Sequence, residues 1–290
     1  MKLIVKFNII FFLVFVLGFA AASYASFNLL QKNAQDEIVQ NARLIMESSL
    51  ASRSYTSSQV APLLETLMKY EFLPQSVPAY GATEQFNTLK IKFPDFAYKE
   101  ATLNPTNLRD RATEWEADLV NRFRQYPDQT EIVGERDTPS GRSLYLARPI
   151  QIKNAACLSC HSTIDAAPKT LLDKYGNANG FGWKLNEIIG AQVVSVPTSL
   201  PLQKANQAFK TFMLSLGLVF AMIFVTLNLT LWLMVVRPVS KLSKIADEIS
   251  MGKMDATEFP LFGKDEIGRL GQAFSRMKKS LVQAMKMLEE

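Results

Sequence analysis

Two long apolar runs frame the chain, one over residues 7–30 and one over 211–236. The first is interrupted only by Asn8, Ser23, Ser26 and Asn28. A hydrocarbon core of about 30 Å needs roughly 20 apolar residues at helical rise, so both runs predict membrane-spanning helices. Between them the texture is that of a folded domain. In residues 31–70, Ile38, Ala42, Ile45 and Ser49, and Val39, Met46 and Leu50, recur at helical spacing until Pro62 breaks or restarts the helix. From Pro74, prolines, glycines and asparagines become frequent, and short β-type runs fall at 96–102, 143–150 and 190–196. A further helix is expected over Arg109–Phe123, with Trp115, Leu119 and Phe123 on one face. The expected fold class is α+β: long N-terminal helices, a short mixed sheet, and a last strand feeding the second span.

Past residue 236 the pattern becomes purely helical. Pro238, Leu242, Ile245 and Ile249 are spaced 4, 3, 4, and Gly252 stops that helix. A connector with Phe259, Pro260 and Leu261 leads to a second periodic stretch. There Ile267, Leu270, Phe274, Met277, Leu281, Ala284 and Leu288 alternate 3 and 4. Such a sustained seam specifies a helical partner, whereas an isolated surface helix needs only a moment.

Charge narrows the class. The net +5 could suggest a nucleic-acid surface, yet residues 31–208 hold 19 basic and 19 acidic side chains. The excess comes from Lys2, Lys6 and Lys210 and a net +2 over 237–290, where Arg237, Lys241 and Lys244 follow the second run, so it lies mostly at the edges of the apolar runs. This distribution follows the positive-inside rule, so both ends are expected in the cytoplasm and 31–208 outside it, in the periplasm beyond an inner membrane. Tyr24 and Trp232 sit where interfacial aromatics belong. Ser23-Tyr24-Ala25 also forms a small-x-small cleavage pattern, but the first run outlasts an ordinary signal h-region, which favours a retained helix. No nucleic-acid motif accompanies the basic edges.

The chain has two cysteines and one histidine, and all three fall in Cys157-Leu158-Ser159-Cys160-His161. This is the pattern that attaches c-type haem: two thiols on one turn form thioethers with the vinyl groups, and the adjacent imidazole binds the iron. A structural disulfide leaves the histidine unexplained. A thioredoxin-type dithiol needs a βαβ setting, and a structural zinc needs four ligands where three exist. One covalent haem c is therefore expected, on Cys157 and Cys160 with His161 as proximal metal ligand. With His161 used, the opposite iron ligand would come from Met46, Met68, Tyr55, a lysine or water, or the site stays open; Met46 is the preferred candidate. Arg53, Lys99, Arg142 and Arg148 are cations that could meet the propionates.

Larger stretches carry a resemblance. Arg53-Ser-Tyr55-Thr56, Tyr98-Lys-Glu-Ala-Thr-Leu-Asn-Pro-Thr-Asn107, Gly141-Arg-Ser-Leu-Tyr-Leu-Ala-Arg-Pro-Ile150, the haem motif, Asn179-Gly-Phe-Gly-Trp183 and Gly190-Ala-Gln-Val-Val-Ser-Val-Pro197 resemble a bacterial extracytoplasmic domain. That family, long of unknown function, binds a single c-type haem in a PAS-like fold. The resemblance implies haem on Cys157 and Cys160 with His161 as axial ligand, and a PAS-like domain within 31–208. The tail at 237–288, opened by Arg237-Pro238 and marked by Asp265-Glu266-Ile267-Gly268, resembles a HAMP linker. This implies a homodimer through HAMP and a cytoplasmic output partner in trans, such as a kinase or cyclase.

The function expected is a membrane-bound redox or diatomic-gas sensor, not an enzyme, that relays through HAMP. The alternative is a membrane-anchored electron-transfer cytochrome dimerised by the same tail. A peroxidase would need a substitute for the missing distal histidine.

Overall fold

The computed structural model describes residues 3–139, 141–253, 263 and 265–289. The connector residues Phe259, Pro260 and Leu261, the flanking Lys2 and the Leu288 side chain lie outside this description. The chain divides into two compact units, Asn28–Gln207 and Met1–Phe27 with Ala208–Glu290.

In the first of these units, the long helix α1 (Leu3–Tyr55) contributes its C-terminal part. It does not end cleanly. A π-helical turn, Thr56–Val60, comes directly after it, and then the short helix α2, Ala61–Leu64. Pro62 explains the widening, because its ring and missing N–H bar the regular bond one turn back. A 3-10 turn at Leu67–Lys69 closes the stretch expected to be helical to about residue 70. Helix α3 (Pro78–Lys90) begins with a proline, where the absent N–H costs nothing.

The sheet comes next. Strand β1 (Ala97–Thr102) precedes helix α4 (Glu114–Gln125). Helix α4 starts later than the spacing suggested, because Leu108–Asp110 forms a separate 3-10 turn and the true start is set by a capping box. Its Glu116 carboxylate accepts from the Thr113 backbone N–H at 2.8 Å and from Lys99 Nζ at 2.7 Å. Strands β2 (Ile132–Thr138) and β3 (Gly141–Gln151) form a hairpin, then come α5 (Leu158–His161), α6 (Lys169–Tyr175) and β4 (Ile188–Pro197). The sheet is antiparallel, in the order β1-β4-β3-β2. Strand β2 was not expected from the sequence; its Glu135, Arg136 and Asp137 give it a solvent-facing pattern at the sheet edge.

Both sheet faces are covered, so β4 is buried almost along its whole length. On one face Tyr98, Leu144, Leu146, Val194 and Val196 pack against Ile38, Ala42 and Met46 of α1 and Phe86 of α3. On the other, Ala101, Ala147, Ala191 and Val193 meet Leu119, Val120 and Phe123 of α4. The alternation of side chains along each strand sends consecutive residues to these two cores.

The second unit contains the apolar parts of two helices long and apolar enough to cross a membrane, the start of α1 and all but the first turns of α7 (Ser199–Leu231). Within it Phe15 stacks on Phe220 at 5.3 Å between ring centroids, and Phe27 meets Phe209 edge-on at 5.5 Å. Another π-helical turn, Trp232–Val236, leads into α8 (Arg237–Ser250). Gly252 then adopts a φ of +85°, the left-handed stop that glycine tolerates. Helix α9 (Glu266–Glu289) begins with the Asp265 carboxylate accepting from the Gly268 N–H at 2.8 Å. Leu242, Ile245 and Ile249 of α8 are buried against Ile267 and Phe274 of α9.

Candidate functional site

The two cysteines and the histidine stand on a single tight turn that leaves the end of β3. Asn154 starts it: its side chain accepts from the Ala156 N–H at 2.9 Å and opens a 3-10 turn, Ala155–Cys157, that runs straight into α5. Cys157, Cys160 and His161 thereby reach the wall of one cavity of about 580 Å³. That volume lies within the roughly 300–1,000 Å³ typical of cofactor sites. Both thiols are free and partly buried.

The His161 ring is held from two sides. Its Nδ1 lies 2.7 Å from the Gly180 carbonyl oxygen. A carbonyl only accepts, so Nδ1 carries the proton and Nε2 is left with its lone pair, the form a metal requires. The Trp183 indole stacks on the imidazole at 3.9 Å, tilted by 16°. Burial lowers the His161 pKa, and the Gly180 hydrogen bond only partly offsets this, so the neutral ring is favoured at pH 7. The loop carrying these partners is tied down by backbone bonds: the Trp183 N–H donates to the His161 carbonyl at 3.1 Å and the Gly182 N–H to Ser162 at 2.8 Å. Gly180 sits at a φ of +87°, and a Cβ there would fall 2.1 Å from Thr106 Oγ1. Asn104 accepts from its N–H at 3.2 Å. The segments Asn104–Asn107 and Asn179–Trp183 therefore serve as a brace for one imidazole.

The cavity lining also carries charge. Arg53, on the last turn of α1, forms an ion pair with Glu100 of β1, and both line the cavity. Glu100 is 3% exposed. Its other oxygen accepts from the Tyr98 hydroxyl at 2.7 Å, and Gln192 Nε2 donates to that hydroxyl at 3.3 Å. Burial, with the Glu100 charge beside it, pushes the Tyr98 phenol far above its ordinary value, so it stays a donor. Arg109, which sequence reasoning did not single out, also lines the cavity. It lies over the Tyr80 ring at 5.0 Å and pairs with Glu84 and Asp110. Burial is the main cause of a raised Asp110 pKa.

The other expected cations are elsewhere. Lys99 pairs with Glu116, Arg142 with Glu135 at 3.2 Å, and Arg148 with Glu47 at 2.7 Å and Glu131 at 3.0 Å; none of them lines the cavity. Met46 is 0% exposed and belongs to the core between α1 and the sheet, so it is not brought to the cavity wall. The reason is its helical position: it shares the buried stripe of Ile38 and Ala42. Met68 does line the cavity, with its sulfur accepting from the Leu73 N–H at 3.1 Å. Tyr55 is exposed and outside the lining.

Comparison with known proteins matches two parts of the chain. A family model described as Tll0287-like matches residues 31–197, and the HAMP domain model matches 231–283. No curated protein matches the chain. Among solved structures, the crystal structure of the cyanobacterial heme-protein Tll0287 is similar at 17% identity and a TM-score of 0.44, covering 56% of this chain and 95% of that one.

Proposed function

Since the chain belongs to the Tll0287-like family over residues 31–197 and carries a HAMP domain at 231–283, we propose that it is a membrane-bound haem sensor relaying a redox or diatomic-gas signal through HAMP. The observation that carries the proposal is the convergence of Cys157, Cys160 and a neutral, buttressed His161 on one cavity of about 580 Å³. The donor set fits one haem c: two free thiols for thioethers and an imidazole with Nε2 available. When bound, the group supplies a one-electron centre and, if one position stays open, a site for a small gas. The chain's own part is to fix the imidazole, exclude water with apolar walls such as Phe72, Ile152 and Leu171, and present Arg53–Glu100 and Arg109 to the cavity.

The antiparallel sheet with helices on both faces supports a PAS-like reading of the domain. The basic flanks Lys6, Arg237, Lys241 and Lys244 support a periplasmic haem domain between two retained spans, with cytoplasmic ends. Leu281 is 44% exposed in the single chain, and Leu270 and Met277 are exposed beside it, which supports a HAMP homodimer acting on a partner in trans. Haem staining of a denaturing gel tests the central claim. Stain should be present in the wild type and lost in Cys157→Ala/Cys160→Ala; stain that survives both changes refutes covalent attachment.

A further inference from the structure

The Arg53–Glu100 pair lies outside the turn that carries the cysteines and the histidine, yet it is a part-buried ion pair in the cavity wall, with Glu100 the buried half. Such a pair is weak evidence for stability, because desolvation offsets most of the Coulomb gain and a well-packed apolar pair would serve as well. Its two halves stand on different elements. Arg53 ends α1, and Glu100 is on β1, where Tyr98 and Gln192 hold it in place. The carboxylate is thus the fixed end and the guanidinium the movable one. Cys157 and Cys160 line the same cavity as both members of the pair.

The segment after Arg53 is also built to yield. The π-helical turn Thr56–Val60 starts three residues later, and such turns recur at functional sites because their backbone bonding is already altered. Thr56 is buried there and bonds back to the Ser52 carbonyl at 2.9 Å. Ser57 within the turn and Ala61 just past it line the same cavity.

We propose that the Arg53–Glu100 pair is the positioning contact that sets the site's reduction potential and passes its charge state to α1. This rests on the haem reading above. The step is one electron from an external one-electron carrier of the cytochrome class; the charge at the cavity falls by one unit, no proton moves and no covalent bond of the chain changes. In the oxidised state the extra positive charge repels Arg53 toward Glu100 and closes the pair. In the reduced state that repulsion is gone, the guanidinium relaxes toward the cavity, and the end of α1 shifts at the π-turn.

The opposite charges give a signature that a merely structural role would not produce. In the full-length, haem-loaded protein, Glu100→Gln leaves Arg53 uncompensated and should favour the reduced state about tenfold, or about 59 mV for a one-electron couple. Arg53→Gln should shift the potential by a similar factor in the opposite direction. Amide exchange over residues 49–60 should differ between dithionite-reduced and ferricyanide-oxidised wild type, and that difference should vanish in both variants. Shifts of the same sign, no shift, or an exchange difference that persists in either variant would overturn the proposal. If either variant fails to fold, Arg53→Lys and Tyr98→Phe keep both charges. They should hold the potential within about threefold of wild type, roughly 28 mV on the same scale, while shrinking the exchange difference. An exchange difference unchanged in both overturns the proposal. Absence of haem stain in the wild type is a separate result, refuting the haem reading itself.

Discussion

Shortening Met46 to alanine removes the thioether of a side chain that is 0% exposed, packed among Ile38, Ala42, Phe86, Leu146 and Val194. Core substitutions of Met by Ala cost about 2–5 kcal/mol, combining lost transfer energy with the hole left behind. The sheet beneath is closed on its other face by α4 and cannot collapse easily, so about 3 kcal/mol is a fair central value. For a domain of 150–250 residues, 1 kcal/mol moves the midpoint by roughly 2–4 °C, which gives a fall of about 6–12 °C. The assay is thermal unfolding of the haem-loaded protein by circular dichroism, paired with absorption spectra of both oxidation states. The expected result is a lower midpoint with unchanged spectra. A changed ligand signature at a nearly unchanged midpoint would refute the reasoning, because it would place Met46 at the iron and not in the core.

Gly81→Ala should destabilise the domain by about 1–3 kcal/mol, since the new Cβ would fall 2.5 Å from Thr56 Oγ1 and either α3 or the π-turn must move. Thr56→Ala in the same chain should recover most of that loss in the same melt, and no recovery would argue against the contact. The Glu131 carboxylate lies below the ordinary range: burial alone would raise it, but hydrogen bonds and charge from Arg43 and Arg148 outweigh this. A depressed folded value means its stabilisation is present above the unfolded value of about 4.3 and is lost as pH falls through the folded one. Melts of Glu131→Gln between pH 7 and pH 3 should therefore converge on wild type at the acid end, whereas parallel curves would exclude the effect. A cysteine at Leu281 should crosslink into dimers in native membranes, and monomers alone at native expression would count against the HAMP homodimer.

The elements most legible in the sequence are those with one dominant period. Both apolar runs fall inside long helices, and the 4, 3, 4 spacing of α8 and the Gly252 stop appear where the pattern placed them. Three of the four strands were visible: β4 is rich in isoleucine and valine, β3 carries Leu144, Tyr145, Leu146 and Ile150, and β1 carries Tyr98 and Thr102. Strand β2 escaped because an edge strand with alternating charge reads locally as a loop. At the site, Cys157, Cys160 and His161 announce themselves by chemistry and spacing. Gly180, Trp183 and Asn104 do not, because their partner is more than fifteen residues away and only the fold brings them together. The same holds for the cations: composition presents Arg53, Lys99, Arg142 and Arg148 as equals, and only tertiary pairing separates the one at the cavity from the three that are not.

How α1 docks on the sheet bears on whether a small charge change can be felt along it. Its apolar contact runs through Ile38, Ala42 and Met46, and hydrophobic attraction is non-directional, so a slide of a fraction of a side chain costs little area. The polar contacts are different. Arg43 with Glu131, Glu47 with Arg148, and Arg53 with Glu100 join the helix to the sheet side through directional bonds spread along its C-terminal part. Contacts of that kind hold a helix in discrete positions, not over a continuum, and interface helix shifts of about 1–2 Å are the usual step between such positions. Of the three, only the Arg53–Glu100 pair lies in the cavity wall. The other two are on the exposed side, where salt screens them. A change of charge inside the cavity therefore acts first on the pair at the end of α1, next to the π-turn, while the outer pairs keep the helix in register.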